Sequence, residues 1–488
     1  MIKLFVKALI IASSITGLRA GTVTLEKSLG IHDTPWMKTS TFSYATKNPT
    51  AWFELADQII VDYDLLSVSG ALIFKVSNSL LFSIFSGSPT NSSVLNSGIG
   101  PEGLFDFGGS NYITFFNSDT GNVLDSASTG TNLGNLPVRV NELGDPSFNL
   151  LQQENLAMAL AYRKRKSTLG FQVAYGFSKN LEEFFGLAEE TQELWKSQLR
   201  LNFGLKVENL SDLISFFDIA LELKTFDLNN RYDGRVTTTT EKVSALVESA
   251  GAFEVQLMGR LGLKKSKSNF WIVYSSITAF DFSSTAQAKS SVQPFIIDTI
   301  DNFSRNGFNA ALGISNRVKI NKSVSFLIGS EARYSYNTLF YDGIDNGNSL
   351  LALQPLSGNY YSLKLPLILA FEAQVSKSWV FNLSLSQNII NIPQGEFVEE
   401  LTEMFRSNQA IDRLTTLESS SRVVQGKSKT EMTLGLSWKI STIQIDWLTQ
   451  LEIFREGPYF LSGESRKFST SFGFRYSFSN LKDKIWKK

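Results

Sequence analysis

The chain carries a single histidine, His32, and no cysteine. A serine nucleophile would need His32 as its base, and no nucleophile motif lies beside it. His32 therefore reads as a polar residue of the N-terminal segment. Without cysteine there is no thiol chemistry, disulfide or thiolate metal site, and one histidine cannot build a multi-histidine zinc site. No GxxxxGK[ST] phosphate loop occurs. The pairs Asp62/Asp64 and Asp342/Asp345 offer weak oxygen ligands for calcium, but solvated or lumen-facing carboxylates are the plainer reading. No catalytic residue, metal or cofactor is expected, and the chain does not read as an enzyme.

The remaining charges fall into a different pattern. Arg200, Lys206, Glu222, Lys224, Glu254, Arg260, Glu331, Arg333, Lys364, Glu372 and Arg475 share one parity of alternating segments. Mixed signs on one face fit a salt-bridged lumen wall around a plug better than a single-sign ion filter. A wide water channel would tolerate the same set. Lys plus Arg number 46 and Asp plus Glu number 46, so no nucleic-acid partner is indicated.

The elements that would carry this wall follow from a period of two. Leu199, Leu201, Phe203, Leu205 and Val207 alternate with Gln198, Arg200, Asn202, Gly204 and Lys206. The same pattern predicts strands near 155–163, 168–178, 197–207, 212–226, 249–263, 268–280, 307–319, 322–335, 360–375, 378–388, 429–440, 442–454 and 466–478. A less regular strand near 58–75 raises the expected number to fourteen. Pro366 predicts a bulge in its strand, because it cannot donate to the ladder. Connectors alternate between short turns and long loops, as in outer-membrane barrels with periplasmic turns and extracellular loops. Within the long loops, 181–196 has the spacing of a short amphipathic helix. Residues 395–417 carry Phe397, Leu401, Met404 and Phe405 at helical spacing, either as a mouth cap touching lipid headgroups or as a self-packed loop.

Residues 1–20 show the order of a secretory signal: Lys3, an apolar run and Ala20 at the expected cut. A buried N-terminal helix is the alternative. Beyond them no charge-free apolar run of spanning length appears. Lipid leaves no water for open sheet edges, so a membrane sheet must close. The expected fold is all-β, a 14-stranded antiparallel transmembrane β-barrel with a small N-terminal hatch. It divides into signal 1–20, hatch 21–57, barrel 58–478 and a basic periplasmic tail 479–488. A large soluble β-sandwich or barrel is the competing fold.

The hatch segment contains Tyr44-Ala45-Thr46-Lys47-Asn48-Pro49-Thr50-Ala51-Trp52. This resembles the Asn-Pro-Ala segment of the long-chain fatty-acid transporter family of outer-membrane proteins (FadL-like), with Thr50 in place of the usual Ala. The resemblance implies fourteen strands, a hatch centred on Asn48, Pro49 and Thr50, and loops that catch hydrophobic substrates. It also implies an apolar pocket and a lateral opening at a kink in the third strand. Counted in order, that strand is 168–178, and Gly170 and Gly176 would permit the kink. Phe184, Phe185, Phe397, Leu401, Met404 and Phe405 are the expected capture residues. Ten residues after Phe478 depart from the family's aromatic C-terminus.

The function expected is passive uptake of hydrophobic small molecules such as long-chain fatty acids. Membrane lipids, the cargo and the outer-membrane assembly machinery are the expected partners. Two other readings stay open: a structural barrel binding a protein partner through its extracellular loops, and a general polar porin.

Overall fold

A computed structural model describes residues 22–86, 156–341, 356–395, 430–450 and 470–478, apart from 30, 32, 33, 40, 65–66, 186–187, 237–241, 265, 267 and 291–296. Residues 1–20, His32, Asp342, Asp345, Phe397, Leu401, Met404, Phe405 and the tail 479–488 lie outside the described residues.

The wall begins with β1 (Gln58–Asp64), β2 (Ser67–Lys75), β3 (Leu80–Ser86) and β4 (Leu156–Lys164). It continues with β5 (Ser167–Phe185), β6 (Ala188–Glu208), β7 (Ile214–Val236), β8 (Lys242–Lys264) and β9 (Asn269–Ser290). Then follow β10 (Ile297–Lys319), β11 (Val324–Tyr341), β12 (Leu356–Gln374) and β13 (Trp379–Gly395). The last three are β14 (Thr430–Ile440), β15 (Ile443–Gln450) and β16 (Thr470–Ser477). Each pairs with its sequence neighbours, and β1 closes antiparallel on β16 from Gln58↔Ser477 to Asp64↔Ser471.

The barrel therefore has 16 strands, and the expected fourteen is corrected. The whole difference arises at the start of the wall. The segment read as one strand, 58–75, is two strands separated by Leu65 and Leu66, and β3 follows within the stretch read as a loop. Alternation fails there for a physical reason. Ile60, Ala71, Ile73, Leu81 and Phe85 point inward and are buried against the hatch. Lipid lies outside and the hatch's apolar side inside, so the inward parity mixes apolar residues with Gln58, Asp62, Ser69 and Ser83 and the alternation blurs.

The turn ends of the strands lie within a few residues of their sequence positions, but the loop ends of β5–β13 run further. The 181–196 segment is not a helix: β5 and β6 pair from Ser167↔Val207 to Phe185↔Glu189. Pro366 does break register, between Leu365 and Pro366 in the β12–β13 ladder. Its carbonyl accepts a hydrogen bond from Ser330 Oγ at 2.9 Å.

Outward-facing positions are apolar and exposed, including Leu160, Phe171, Leu199, Phe203, Leu257, Ile277, Leu312, Ile328, Leu369 and Phe474. Near the turn ends Trp379 stacks on Trp438 across the β13–β14 pair, with ring centroids 5.7 Å apart. Interfacial aromatics of this kind border the apolar band of a membrane barrel.

Candidate functional site: a hatch docked in the lumen

The described residues between 23 and 55 lie inside the barrel and form two short helices and two 3-10 turns. Helix α1 (Val23–Ser28) is capped by Thr22, whose hydroxyl accepts from Leu25 N. The first 3-10 turn, Pro35–Met37, precedes α2 (Phe42–Ala45), capped by Thr41. The second, Pro49–Leu55, is capped by Asn48, whose side chain accepts from Thr50 N. Such side-chain caps satisfy the free N–H groups of elements too short to stand alone.

The sequence segment Asn48-Pro49-Thr50 sits where β5 and β6 closely approach the hatch. Asn48 Oδ1 also accepts from Thr50 Oγ1 at 2.7 Å, and its Nδ2 donates to the Tyr44 hydroxyl oxygen at 3.2 Å. Thr50, the departure from the family's Ala, thus adds a hydrogen bond inside the hatch. A Cβ on Gly204 would stand 2.5 Å from Asn48 Oδ1, and one on Gly170 would stand 2.8 Å from Pro49 C. Only glycine admits this approach. Gly170 and Gly176 lie in the fifth strand, not the third, so the count that placed a kink there fails. Gly170 contacts the hatch. Gly176 stands one residue beyond the last β4–β5 pair, Leu156↔Tyr175.

Around this centre the wall supplies polar groups to hatch backbone and side chains. Gln172 Nε2 donates to Thr46 O at 2.6 Å and its Oε1 accepts from Trp52 Nε1 at 3.1 Å. Asn202 Nδ2 donates to Lys47 O and to Glu222 Oε2, each at 2.8 Å. The Tyr44 hydroxyl donates to Asp218 Oδ1 at 2.7 Å. Arg260 Nη2 donates to Asp218 Oδ2 at 2.7 Å and its Nη1 to Lys38 O at 3.1 Å. Trp36 donates to Glu331, which also pairs with Arg333, and Lys206 pairs with Glu54. On the opposite side Thr22 Oγ1 donates to Asp446 Oδ2 at 2.7 Å, and Thr24 N donates to Asp62 Oδ1 at 2.9 Å.

Of the lumen residues read from sequence, Arg200, Glu254, Arg260, Glu331 and Arg475 are buried. Arg200 pairs with Glu222 at 3.4 Å, and Lys224 bridges Glu222 at 2.7 Å and Glu254 at 2.8 Å. Arg475 donates to Gln444. Glu372 receives Lys38 at 3.7 Å and Arg317 at 3.0 Å. Lys364 is half-buried beside Arg333 in the β11–β12 register. The strands place Phe184 and Phe185 at the loop end of β5. Among the described residues no cluster of three or more His, Cys, Asp or Glu could hold a metal ion.

Sequence reading missed Tyr44, Asp218, Gln172, Asn202, Gly204 and Glu26 as contact residues. An available signal was inward parity: the strand residues among them share the polar face already assigned to the lumen. Glu26 lies on the hatch, outside the spanning strands, and is buried. Its carboxylate accepts from Phe42 N and from Ser43 N, the latter at 3.2 Å. Burial pushes its carboxyl up to about 8, and nearby Asp62 adds to the rise. The Ser43 and Phe42 hydrogen bonds oppose it.

An apolar exterior, a closed ladder and a plugged lumen define a multi-pass transmembrane β-barrel of the outer-membrane type. No family model matches the chain. Among solved structures, the Pseudomonas putida toluene transporter TodX is 8% identical, with TM-score 0.38, covering 90% of this chain and 94% of that one. The Ralstonia pickettii toluene transporter TbuX is 11% identical, with TM-score 0.34, covering 95% and 100%. A Pseudomonas aeruginosa FadL homologue is 9% identical, with TM-score 0.35, covering 67% and 78%. The last of these bears the name of the group that the Asn48-Pro49 segment resembles. A segment of lysosome membrane protein 2-C from Dictyostelium discoideum is 32% identical over 126 residues. That match spans 25% of this chain and 16% of that protein. At these identities and scores, cargo and route rest on this chain's own residues.

Proposed function

We propose that the protein admits hydrophobic small molecules across a bacterial outer membrane by passive diffusion, with the hatch as the barrier. The observation that carries the reading is the two-sided character of the plugged lumen. Towards β6–β11 the hatch is held by charges and amides. Towards β2–β4 it faces a mainly apolar wall. There Phe42, Trp52 and Phe85 form one aromatic cluster, with Trp52 and Phe85 centroids 4.8 Å apart. Ala157, Ala159 and Ala161 of β4 continue that wall. Apolar cargo moving along it exchanges like surface for like. Burial from water contributes roughly 25 cal/mol per Å².

The finer parts of the reading concern entry and exit. Long-chain fatty acids fit the apolar wall, as do smaller hydrocarbons. A sideways exit near Gly176 of β5 is part of the same reading. Capture by Phe184, Phe185 and the 397–405 segment belongs to the same proposal.

Uptake tests the function directly. Cells lacking their own apolar-solute channel would receive the intact gene and be given labelled oleate or toluene. Faster accumulation of either than of a polar sugar supports the reading. Equal stimulation of sugar and oleate would establish a polar porin instead, and no stimulation would remove the transport role.

A further inference from the structure

We propose that the β4–β5 turn is a binding site for the anionic headgroup of a glycerophospholipid in the leaflet that borders the turns. Lys164, Arg165 and Lys166 are consecutive and exposed. With Tyr162, Ser167 and Leu169 they line an open cavity of about 430 Å³ on the barrel's outer surface.

Strand register orients the groove. Leu160↔Phe171, Tyr162↔Leu169 and Lys164↔Ser167 are successive outward pairs of the β4–β5 ladder. Moving towards the turn, the outer face thus passes from two apolar rows to a cation and a hydroxyl. A phospholipid has the same order, acyl chain then phosphate. Tyr162 and Leu169 are 46% and 57% exposed, so the apolar floor is open to lipid rather than covered by protein.

The cations divide by parity. Arg163 points inward, where it is 3.8 Å from Glu208 and 4.4 Å from the Phe53 ring centre. It is committed to the wall and hatch. Lys164 and Arg165 have no ion-pair partner among the described residues. Lys166 donates one proton to Asn209 O at 2.8 Å, which holds its ammonium along the barrel perimeter with two donors left. Arg165 adopts φ 55, a left-handed conformation that glycine or asparagine takes more easily. An arginine kept at a strained turn position points to use of its charge. Three cations at a bilayer boundary attract anionic lipid, each to a depth limited by screening.

The partner is a lipid phosphate rather than free phosphate, because the cations share the cavity with the exposed apolar side chains of Tyr162 and Leu169. The test uses the full chain in zwitterionic detergent, with phosphatidylglycerol and phosphatidylcholine of identical acyl chains, read by native mass spectrometry. Phosphatidylglycerol should bind roughly tenfold better than phosphatidylcholine, and the triple variant Lys164→Gln, Arg165→Asn, Lys166→Gln should abolish that preference. A control at the β10–β11 turn, Lys319→Gln with Lys322→Gln, should retain it. Equal binding of the two lipids, a triple variant that keeps the preference, or equal loss in the control would overturn the proposal. Displacement of the lipid by millimolar inorganic phosphate alone would overturn the lipid assignment. Should the triple variant not fold, crosslinking of the unsubstituted chain by a headgroup-diazirine phosphatidylglycerol decides the matter. Adducts at 162–169 support the site, and adducts confined elsewhere reject it.

Discussion

The Arg260 guanidinium carbon stands 3.4 Å from the centre of the Tyr44 ring. The same Arg260 holds Asp218, the carboxylate that accepts the Tyr44 hydroxyl. One wall cation therefore grips a hatch residue by its ring face and, through Asp218, by its hydroxyl. Arg260→Met leaves Asp218 buried and unpaired, which should weaken hatch docking by about 3–5 kcal/mol. Tyr44→Phe removes one hydrogen bond to a charged acceptor and should cost about 1.5–3 kcal/mol. Hydrogen exchange across residues 41–55 would check both. Equal protection in Arg260→Met and the parent would show that the pair does not hold the hatch.

Gly204 provides a steric test of the same dock. In Gly204→Val the side chain must displace Asn48 and Thr50, while the β5–β6 ladder keeps its backbone pairs. Overpacking of this kind costs about 1–3 kcal/mol. The expected outcome is a folded barrel with a displaced hatch and larger ion currents in planar bilayers. Parent-like currents in a folded variant would mean that the hatch does not gate the lumen near Gly204.

The pH dependence of hatch docking follows from Glu26. Its carboxyl is raised from its ordinary 4.5 to about 8 when docked, so the docked hatch binds more protons between those values. The contribution is fully present below pH 4.5 and is lost as pH rises through about 8. The docked hatch should become more protease-sensitive from pH 5 to pH 9, and Glu26→Gln should flatten this trend. Sensitivity that falls with rising pH in the parent would contradict the assigned sign.

How far the sequence disclosed this arrangement depended on what lay on each side of a strand. Where lipid faces one side and polar lumen the other, as at Leu199–Val207, alternation is strict and β6 was legible. Above that zone water or other loops replace lipid. In β6 the stretch Ala188-Glu189-Glu190-Thr191-Gln192-Glu193 has no apolar parity to read, yet it is strand. At β3, Leu80-Leu81-Phe82-Ser83-Ile84-Phe85 is apolar at every position but Ser83, because the hatch buries Leu81 and Phe85. β3 was lost there, and β1 and β2 were merged into the single 58–75 segment. The hatch motif was visible through Asn48 and Pro49. Its docking partners were not, because Gly170, Gly204, Gln172 and Asn202 acquire meaning only when the ladder places them on one lumen face.

The outward face of the barrel carries the remaining prediction. Leu257 is 43% exposed and lies in mid-ladder on β8, paired with Leu221 and Ile277, themselves outward-facing. If that surface meets hydrocarbon, Leu257→Arg should destabilise the protein folded in phospholipid vesicles by about 2–4 kcal/mol. A soluble barrel would tolerate the change within about 0.5 kcal/mol, since an exposed arginine in water leaves nothing unsolvated. Reversible unfolding in vesicles separates the two cases. The companion change Leu210→Arg, at the exposed β6–β7 turn, should be nearly silent in the same assay because it lies beyond the apolar band. Equal effects at the two positions would refute a membrane-facing belt, and with it the reason for closing the sheet.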